Sequence, residues 1–299
     1  MKKVILFVVL FSACVVSAQT AGKSGLSFLK LGFGARNVAM GDLGVVNSKD
    51  VTALNYNPAL LSRFSSPEIL FTHNQWIEDT RSEYLGVSFK LLGLPWAVGV
   101  NTTTISDIEI RTRPGEAEGK FNANYFAGSL STGLGLTENI SAGLTVKYLY
   151  EGLLSDEANG LGFDLGLLYE SPIEGLSFGA AFRNLGSMNS LRNEETKLPS
   201  DFRLGASYSD ILNDFNSSYT LGAEVQKYLV SDDTHINLGG ELLYEDMIAL
   251  RAGYQTGFES KGFTAGLGIK WYNLNFDYAF TPFLLDLGSS HTISLKFKF

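Results

Sequence analysis

The sequence predicts an all-β fold: a transmembrane antiparallel β-barrel of about fourteen strands behind a short N-terminal plug. Three observations carry that expectation. From Pro67 onward, apolar residues recur at every second position in short runs separated by turn residues. The first 18 residues read as an export signal, yet no later segment is apolar for long enough to cross a bilayer as a helix. The chain also ends on an aromatic, Phe299, in phase with the apolar face of its last run.

Composition narrows the classes first. Of 299 residues, 31 are acidic and 23 basic, and the formal charge of −8 disfavours a nucleic-acid partner. Charged residues are only 18% of the chain while Tyr and Phe number 13 and 21, which disfavours disorder. A single cysteine builds neither an internal disulfide framework nor a thiolate zinc site.

At the N-terminus, Lys2 and Lys3 precede an apolar run from Val4 to Val16, and Val16-Ser17-Ala18 supplies slim residues before Gln19. Residues 1–18 are therefore expected to be a secretory signal peptide cleaved after Ala18. A competing reading lipidates Cys14, although the bulky Phe11 fits that signal poorly. Export without a spanning helix leaves a soluble secreted protein or an outer-membrane barrel.

Residues 19–66 lack sustained alternation and are expected to form the plug, folded inside the lumen. Phe33 to Met40 suits a short helix stopping near Gly41, and Asp50 suits the N-cap of a turn over 51–55. Asn57-Pro58 then offers an N-cap and a first-turn proline for a second short helix through Ala59, Leu60 and Leu61.

Residues 67–299 are the expected barrel. In 138–150, Ile140, Ala142, Leu144, Val146, Tyr148 and Tyr150 share one face, while Ser141, Gly143, Thr145 and Lys147 share the other. Strands are expected near 67–77, 81–92, 95–105, 121–134, 138–150, 160–170, 175–184, 200–209, 217–229, 234–244, 247–256, 261–271, 273–281 and 289–299. Glu78-Asp79-Thr80, Glu245-Asp246 and Tyr272-Asn273 read as tight hairpin turns. The longer links 106–120, 151–159, 185–199 and 282–288 alternate with these and are expected outside the cell, with 107–112 a possible strand extension.

A soluble β-sandwich shows the same alternation. Three features favour the membrane barrel, placing the protein in the bacterial outer membrane with lipid around it. The polar faces are crowded with glycine and lone charges such as Asp164, Arg203, Glu224, Arg251 and Lys270, which suits a narrow lumen. The apolar faces tend to end in Tyr, Trp or Phe, as interfacial girdles do. The ending through Phe297 to Phe299 resembles the C-terminal insertion signal of bacterial outer-membrane barrels.

The stretch Phe28-Leu29-Lys30-Leu31-Gly32-Phe33-Gly34-Ala35-Arg36-Asn37-Val38-Ala39-Met40-Gly41-Asp42, followed by Asp50 to Leu61, resembles the start of the PorV/PorQ family. The resemblance covers residues 28–61 in motif and the rest in architecture. It implies that Gly34, Ala35, Arg36, Met40 and Gly41, then the turn Asn57-Pro58-Ala59, form the plug motif ahead of a fourteen-stranded FadL-like barrel. It also implies a non-enzymatic part in the type IX protein secretion and attachment machinery of Bacteroidota, with protein partners reached through the extracellular loops. The chain looks short for the cargo-shuttling branch, so a PorQ-like or paralogous role fits at least as well.

Catalysis is not expected. The histidines are His73, His235 and His291, each on a strand or its rim, and no serine sits in a Gly-x-Ser-x-Gly elbow. Asp232-Asp233 and Asp210 with Asp214 read as solvated loop acids, so no metal or other cofactor is expected. The alternatives to the secretion role are a FadL-like conduit for small hydrophobic molecules, with the plug as hatch, and an inert structural barrel. The conduit requires an apolar pocket beneath the loops and a gap in the wall. Lumen charges such as Arg183, Arg203, Glu224 and Glu241 are expected to pair with one another or with the plug, since a lone buried charge costs several kcal/mol.

Overall fold

The computed structural model describes residues 24–191 and 194–299. The expected signal peptide and residues 19–23 of the expected plug lie outside the described residues. Fourteen strands form one closed antiparallel barrel. They begin with β1 (Glu68–Gln75), β2 (Thr80–Leu91), β3 (Leu94–Ile110), β4 (Gly119–Gly135), β5 (Ile140–Leu153), β6 (Asp156–Glu170) and β7 (Leu176–Met188). A two-residue hairpin, β8 (Ser190–Leu191) with β9 (Glu194–Glu195), stands outside the wall. The barrel resumes with β10 (Asp201–Leu212), β11 (Ser217–Tyr228), β12 (Thr234–Tyr244), β13 (Ile248–Gln255), β14 (Phe263–Trp271), β15 (Leu274–Pro282) and β16 (Ser289–Lys298).

Closure comes from β1 pairing β16, in register from Glu68↔Lys298 to Gln75↔His291. Every strand of the barrel has a neighbour on both sides, which is the condition for crossing a membrane as a sheet. The period-two pattern sorts the faces as expected. Leu221, Leu250 and Leu267 point outward, each more than half exposed, while Glu224, Arg251 and Thr264 point inward and are buried. An apolar belt of this extent on a closed barrel is a lipid-facing surface.

Both ends of the barrel lie at the mouth that carries the short turns 92–93, 245–247 and 272–273, which is the periplasmic mouth. At Glu245-Asp246 both residues have positive φ (49° and 55°), matching the primed turns that follow the sheet's right-handed twist. Three expectations need correction. The tight turn at Glu78-Asp79 lies at the extracellular mouth, beside the longer loops rather than opposite them. Residues 151–159 are not a loop, because β5 and β6 pair out to Leu153↔Asp156 and only 154–155 connect them. The link 106–120 shrinks to 111–118, because β3 continues to Ile110 past a bulge between Ile105 and Ile108. A lumen-facing strand end and a solvated loop are both polar, so composition does not separate them.

The described part of the N-terminal segment, 24–66, runs down the inside of the barrel. It forms a 3-10 turn at Ser27–Lys30, helix α1 (Ala35–Ala39), helix α2 (Ala53–Tyr56) and a 3-10 helix at Pro58–Arg63. Asn57 caps the last of these, its side chain accepting from the Ala59 N–H at 3.1 Å, with Pro58 in the first position. Wall glycines make the room. A Cβ on Gly253 would lie 2.0 Å from the Gly41 nitrogen, and one on Gly143 would lie 2.3 Å from the Pro58 carbonyl carbon. The glycine-rich lumen face is thus where backbone meets backbone.

Candidate functional site

The candidate site is the contact between this segment and the lumen wall. Gly34 takes a left-handed φ of 77°, which turns the chain into α1 and lets the Ala35 N–H donate to Ser294 Oγ at 2.8 Å. One residue on, Arg36 meets Glu241 of β12 through two parallel bonds, Nε to Oε2 at 2.9 Å and Nη2 to Oε1 at 2.7 Å. Glu241 also takes Arg251 Nε at 2.7 Å, and Arg251 reaches Asp277 at 2.7 Å. Lys49 lies 3.5 Å from the same Glu241. Charges therefore alternate, which is how a buried ionic cluster avoids an uncompensated member. Met40 is fully buried, and Thr264 caps the helix end by accepting from the Gly41 N–H and donating to the Ala39 carbonyl, both at 3.0 Å.

A second cluster lies deeper in the barrel. Arg203 bonds Glu224 at 2.8 Å and Asp42 at 3.2 Å, with Asp201 at 3.6 Å. Glu224 turns its other oxygen to the Gly44 and Val45 N–H groups at 3.1 and 3.0 Å. Arg183 forks onto Asp201 at 3.0 and 2.6 Å and donates to the Asn55 carbonyl at 2.9 Å. Tyr56 donates its hydroxyl to Asp42 and accepts from the Phe33 N–H at 2.9 Å. Burial, then the Asp42 charge, push that phenol well above its ordinary pKa, so it stays a donor. Lys147 and Asp164 make a further buried pair at 2.6 Å. Each of Arg183, Arg203, Glu224 and Glu241 thus has its partner in the wall, the segment or both.

The other side of the segment is apolar. Leu54, Ala59, Leu60 and Leu61 pack with Leu70, Ala97, Leu168 and Ala181. Asn57 ties this side to the wall by donating to the Leu167 carbonyl of β6 at 2.9 Å, and braces the segment itself by donating to the Val45 carbonyl at 2.7 Å. Nearer the extracellular mouth, Leu26, Phe28 and Leu29 fill a nest made by Ala127, Leu149, Ala158, Met188 and Leu198.

Arg36 and Asn57, singled out by motif, are both polar anchors of the segment. Asp42, Tyr56, Asp201 and Asp277 complete the network without having been singled out as anchors; Asp42 and Tyr56 lay inside the quoted stretches. Phe297 and Phe299 stand outside the lumen on the outward face of β16, their rings 5.0 Å apart, with the Phe299 N–H on the Pro67 carbonyl. No group of three metal-ligating side chains converges among the described residues.

No family model matches the chain, and no curated protein is detectably similar to it in sequence. Solved structures do match its fold. The Ralstonia pickettii toluene transporter TbuX superposes with a TM-score of 0.65 at 14% identity, covering 90% of this chain and 98% of that one. The Pseudomonas putida toluene transporter TodX gives 0.66 at 13%, over 89% and 98%. A Pseudomonas aeruginosa FadL homologue gives 0.55 at 12%, over 89% and 97%. At such identities the likeness is one of fold, and it agrees with the closed wall and its lipid-facing belt: the protein is an outer-membrane β-barrel of FadL-like architecture.

Proposed function

We propose that the protein is a conduit for small hydrophobic molecules across the outer membrane, with the N-terminal segment as its hatch. The observation that carries this reading is the apolar nest beneath the extracellular loops, set beside an irregular stretch of the wall ladder. The nest is lined by Leu149, Met188 and Leu198 and occupied by Leu26, Phe28 and Leu29. Next to it the β6–β7 register shifts between Phe163 and Leu165, and β10 pairs β7 only as far as Asp201↔Arg183. A ladder that shifts register and shortens next to an apolar nest is where the wall would most readily admit an apolar solute. The toluene transporters of similar fold support the same class of cargo. Passage requires the segment to shift, because it fills the lumen. The test is uptake of toluene and of a long-chain fatty acid by cells with and without this chain. Equal uptake of both would remove the reading.

A second reading is a scaffold in type IX secretion and attachment. It is favoured by the resemblance of residues 28–61 to the PorV/PorQ family and by the use of Arg36, on Glu241, and Asn57, on the Leu167 carbonyl, to lock the segment in place. A locked lumen suits a platform for protein partners on the extracellular loops. Surface proteomics of a strain lacking the chain tests it. Cargo trapped in the periplasm or released unprocessed supports the scaffold, and an unchanged surface proteome counts against it.

A further inference from the structure

The periplasmic mouth is filled unevenly. On the β3–β7 side the 3-10 helix Pro58–Arg63 closes it with leucines, whereas between β12 and β16 it opens into a vestibule of about 360 Å³. Arg36, Glu241, Arg251 and Asp277 form its inner end. Toward the periplasm it is lined by Lys49, Lys270, Lys296 and Lys298, with Asp246 the further carboxylate.

The charges in this space do not balance. Six cations face three carboxylates, on a chain whose formal charge is −8. All three carboxylates are engaged: Glu241 by two guanidiniums, Asp277 by Arg251, and Asp246 by Lys270. Lys296 and Lys298 share the lumen face of β16 by strand period. Opposite Lys296 on β15 stands the neutral Asn275. Opposite Lys298 on β1 stands Glu68, buried, which turns its Oε1 to the Val51 N–H at 2.6 Å. Among the described residues neither lysine forms an ion pair, and Glu68 is a carboxylate whose charge interacts with both. Lys49, its side chain 54% exposed, shares a Glu241 already held by Arg36 and Arg251. Leu243, Met247, Ala249 and Tyr272 supply an apolar wall beside the lysines.

We propose that this vestibule is a binding site for a small organic anion, a carboxylate or a phosphate monoester with a short apolar body, entering from the periplasmic side. Like charges crowded into a concave, partly dry mouth repel one another and focus a positive field, and an oxyanion between Lys49, Lys296 and Lys298 relieves that repulsion. The volume falls in the range of small-ligand pockets, and charged groups beside an apolar wall are how such pockets fix orientation. The site is independent of what crosses the lumen.

The test uses the full barrel in zwitterionic nanodiscs, titrated calorimetrically with benzoate and with inorganic phosphate. Saturable binding that falls about tenfold in Lys296→Gln/Lys298→Gln, yet is unchanged in Lys227→Gln at the other mouth, is the expected result. Lys49→Gln gives an independent weakening should the double variant fail to fold. A repeat in nanodiscs containing phosphatidylglycerol separates the sources. Loss of phosphate binding there points to a lipid phosphate as the natural occupant of the site, and retained binding points to a free anion. Heats that do not saturate, or affinities equal in the parent and both variants, would mark diffuse counterions and overturn the proposal.

Discussion

The two sides of the lumen hold the N-terminal segment by opposite means. Against β3–β7 it is held by leucines, with Leu54, Leu60 and Leu61 fully buried. Against β10–β16 it is held by charge, through Arg36 on Glu241 and through Asp42 and the Gly44–Val45 amides on Arg203 and Glu224. Apolar burial is non-directional and sets no angle or register. A forked guanidinium–carboxylate bond does set both, but each member is costly once its partner leaves. One side therefore supplies adhesion and the other supplies position. A hatch and a locked scaffold differ in how readily the second side lets go.

The largest effect expected is from Arg203→Met. Asp42, Glu224 and Asp201 then lose a shared cation, and among the described residues only Asp201 keeps another ion-pair partner, in Arg183. Removing one partner of a buried cluster costs about 3–5 kcal/mol. Amide hydrogen exchange over residues 42–57 should quicken accordingly, with the barrel strands still protected. Unchanged exchange would mean that the charged side adds nothing to position.

Leu60→Ala probes the other side at about 2–4 kcal/mol, from lost burial plus the cavity left behind. Exchange should rise in Pro58–Arg63 while α1 stays protected. Loosening of both together would show that the two sides act as one unit and break the comparison.

Arg36→Ala is expected to cost less, about 2 kcal/mol, because Glu241 keeps Arg251 and Lys49. Residues 24–66 should become sensitive to protease while the barrel still inserts, and Asn57→Ala should behave alike. Unchanged protease resistance in the Arg36 variant would count against its anchoring role.

The wall was legible in the sequence because lipid outside and a polar lumen inside impose a strict period of two. Ile140 to Tyr150 shows that period and pairs as expected along β5. Legibility failed at 151–159, where Glu151, Asp156 and Asn159 look like loop residues but continue two paired strands. In a barrel the lumen face is polar, so a strand end whose alternation is broken by the run Glu151-Gly152-Leu153-Leu154-Ser155 carries no clear mark. In the site, Arg36 and Asn57 stood out through a compact motif. Arg203 and Asp42, 161 positions apart, did not stand out as partners, because only barrel closure brings them together.

The smallest effect concerns Lys49 and pH. Repulsion from Arg36, then burial, lowers its amine from 10.5 to about 8, against the pull of Glu241, with Arg251 adding to the repulsion. Between those two values the unfolded chain binds more protons than the folded one at this group. Its contribution to stability therefore rises as pH climbs from about 8 to 10.5, and is flat below that window, where both states are protonated. Half-exposure to vestibule water keeps the slope shallow. Other lysines and tyrosines titrate nearby, so the observable is the difference between the parent and Lys49→Gln in urea midpoint across this range. The variant should be relatively more stable at pH 7.5, with its advantage shrinking toward pH 10.5. A difference that does not change with pH would show that Arg36 leaves the Lys49 amine unperturbed, and that the charged side of the lumen ends at Glu241.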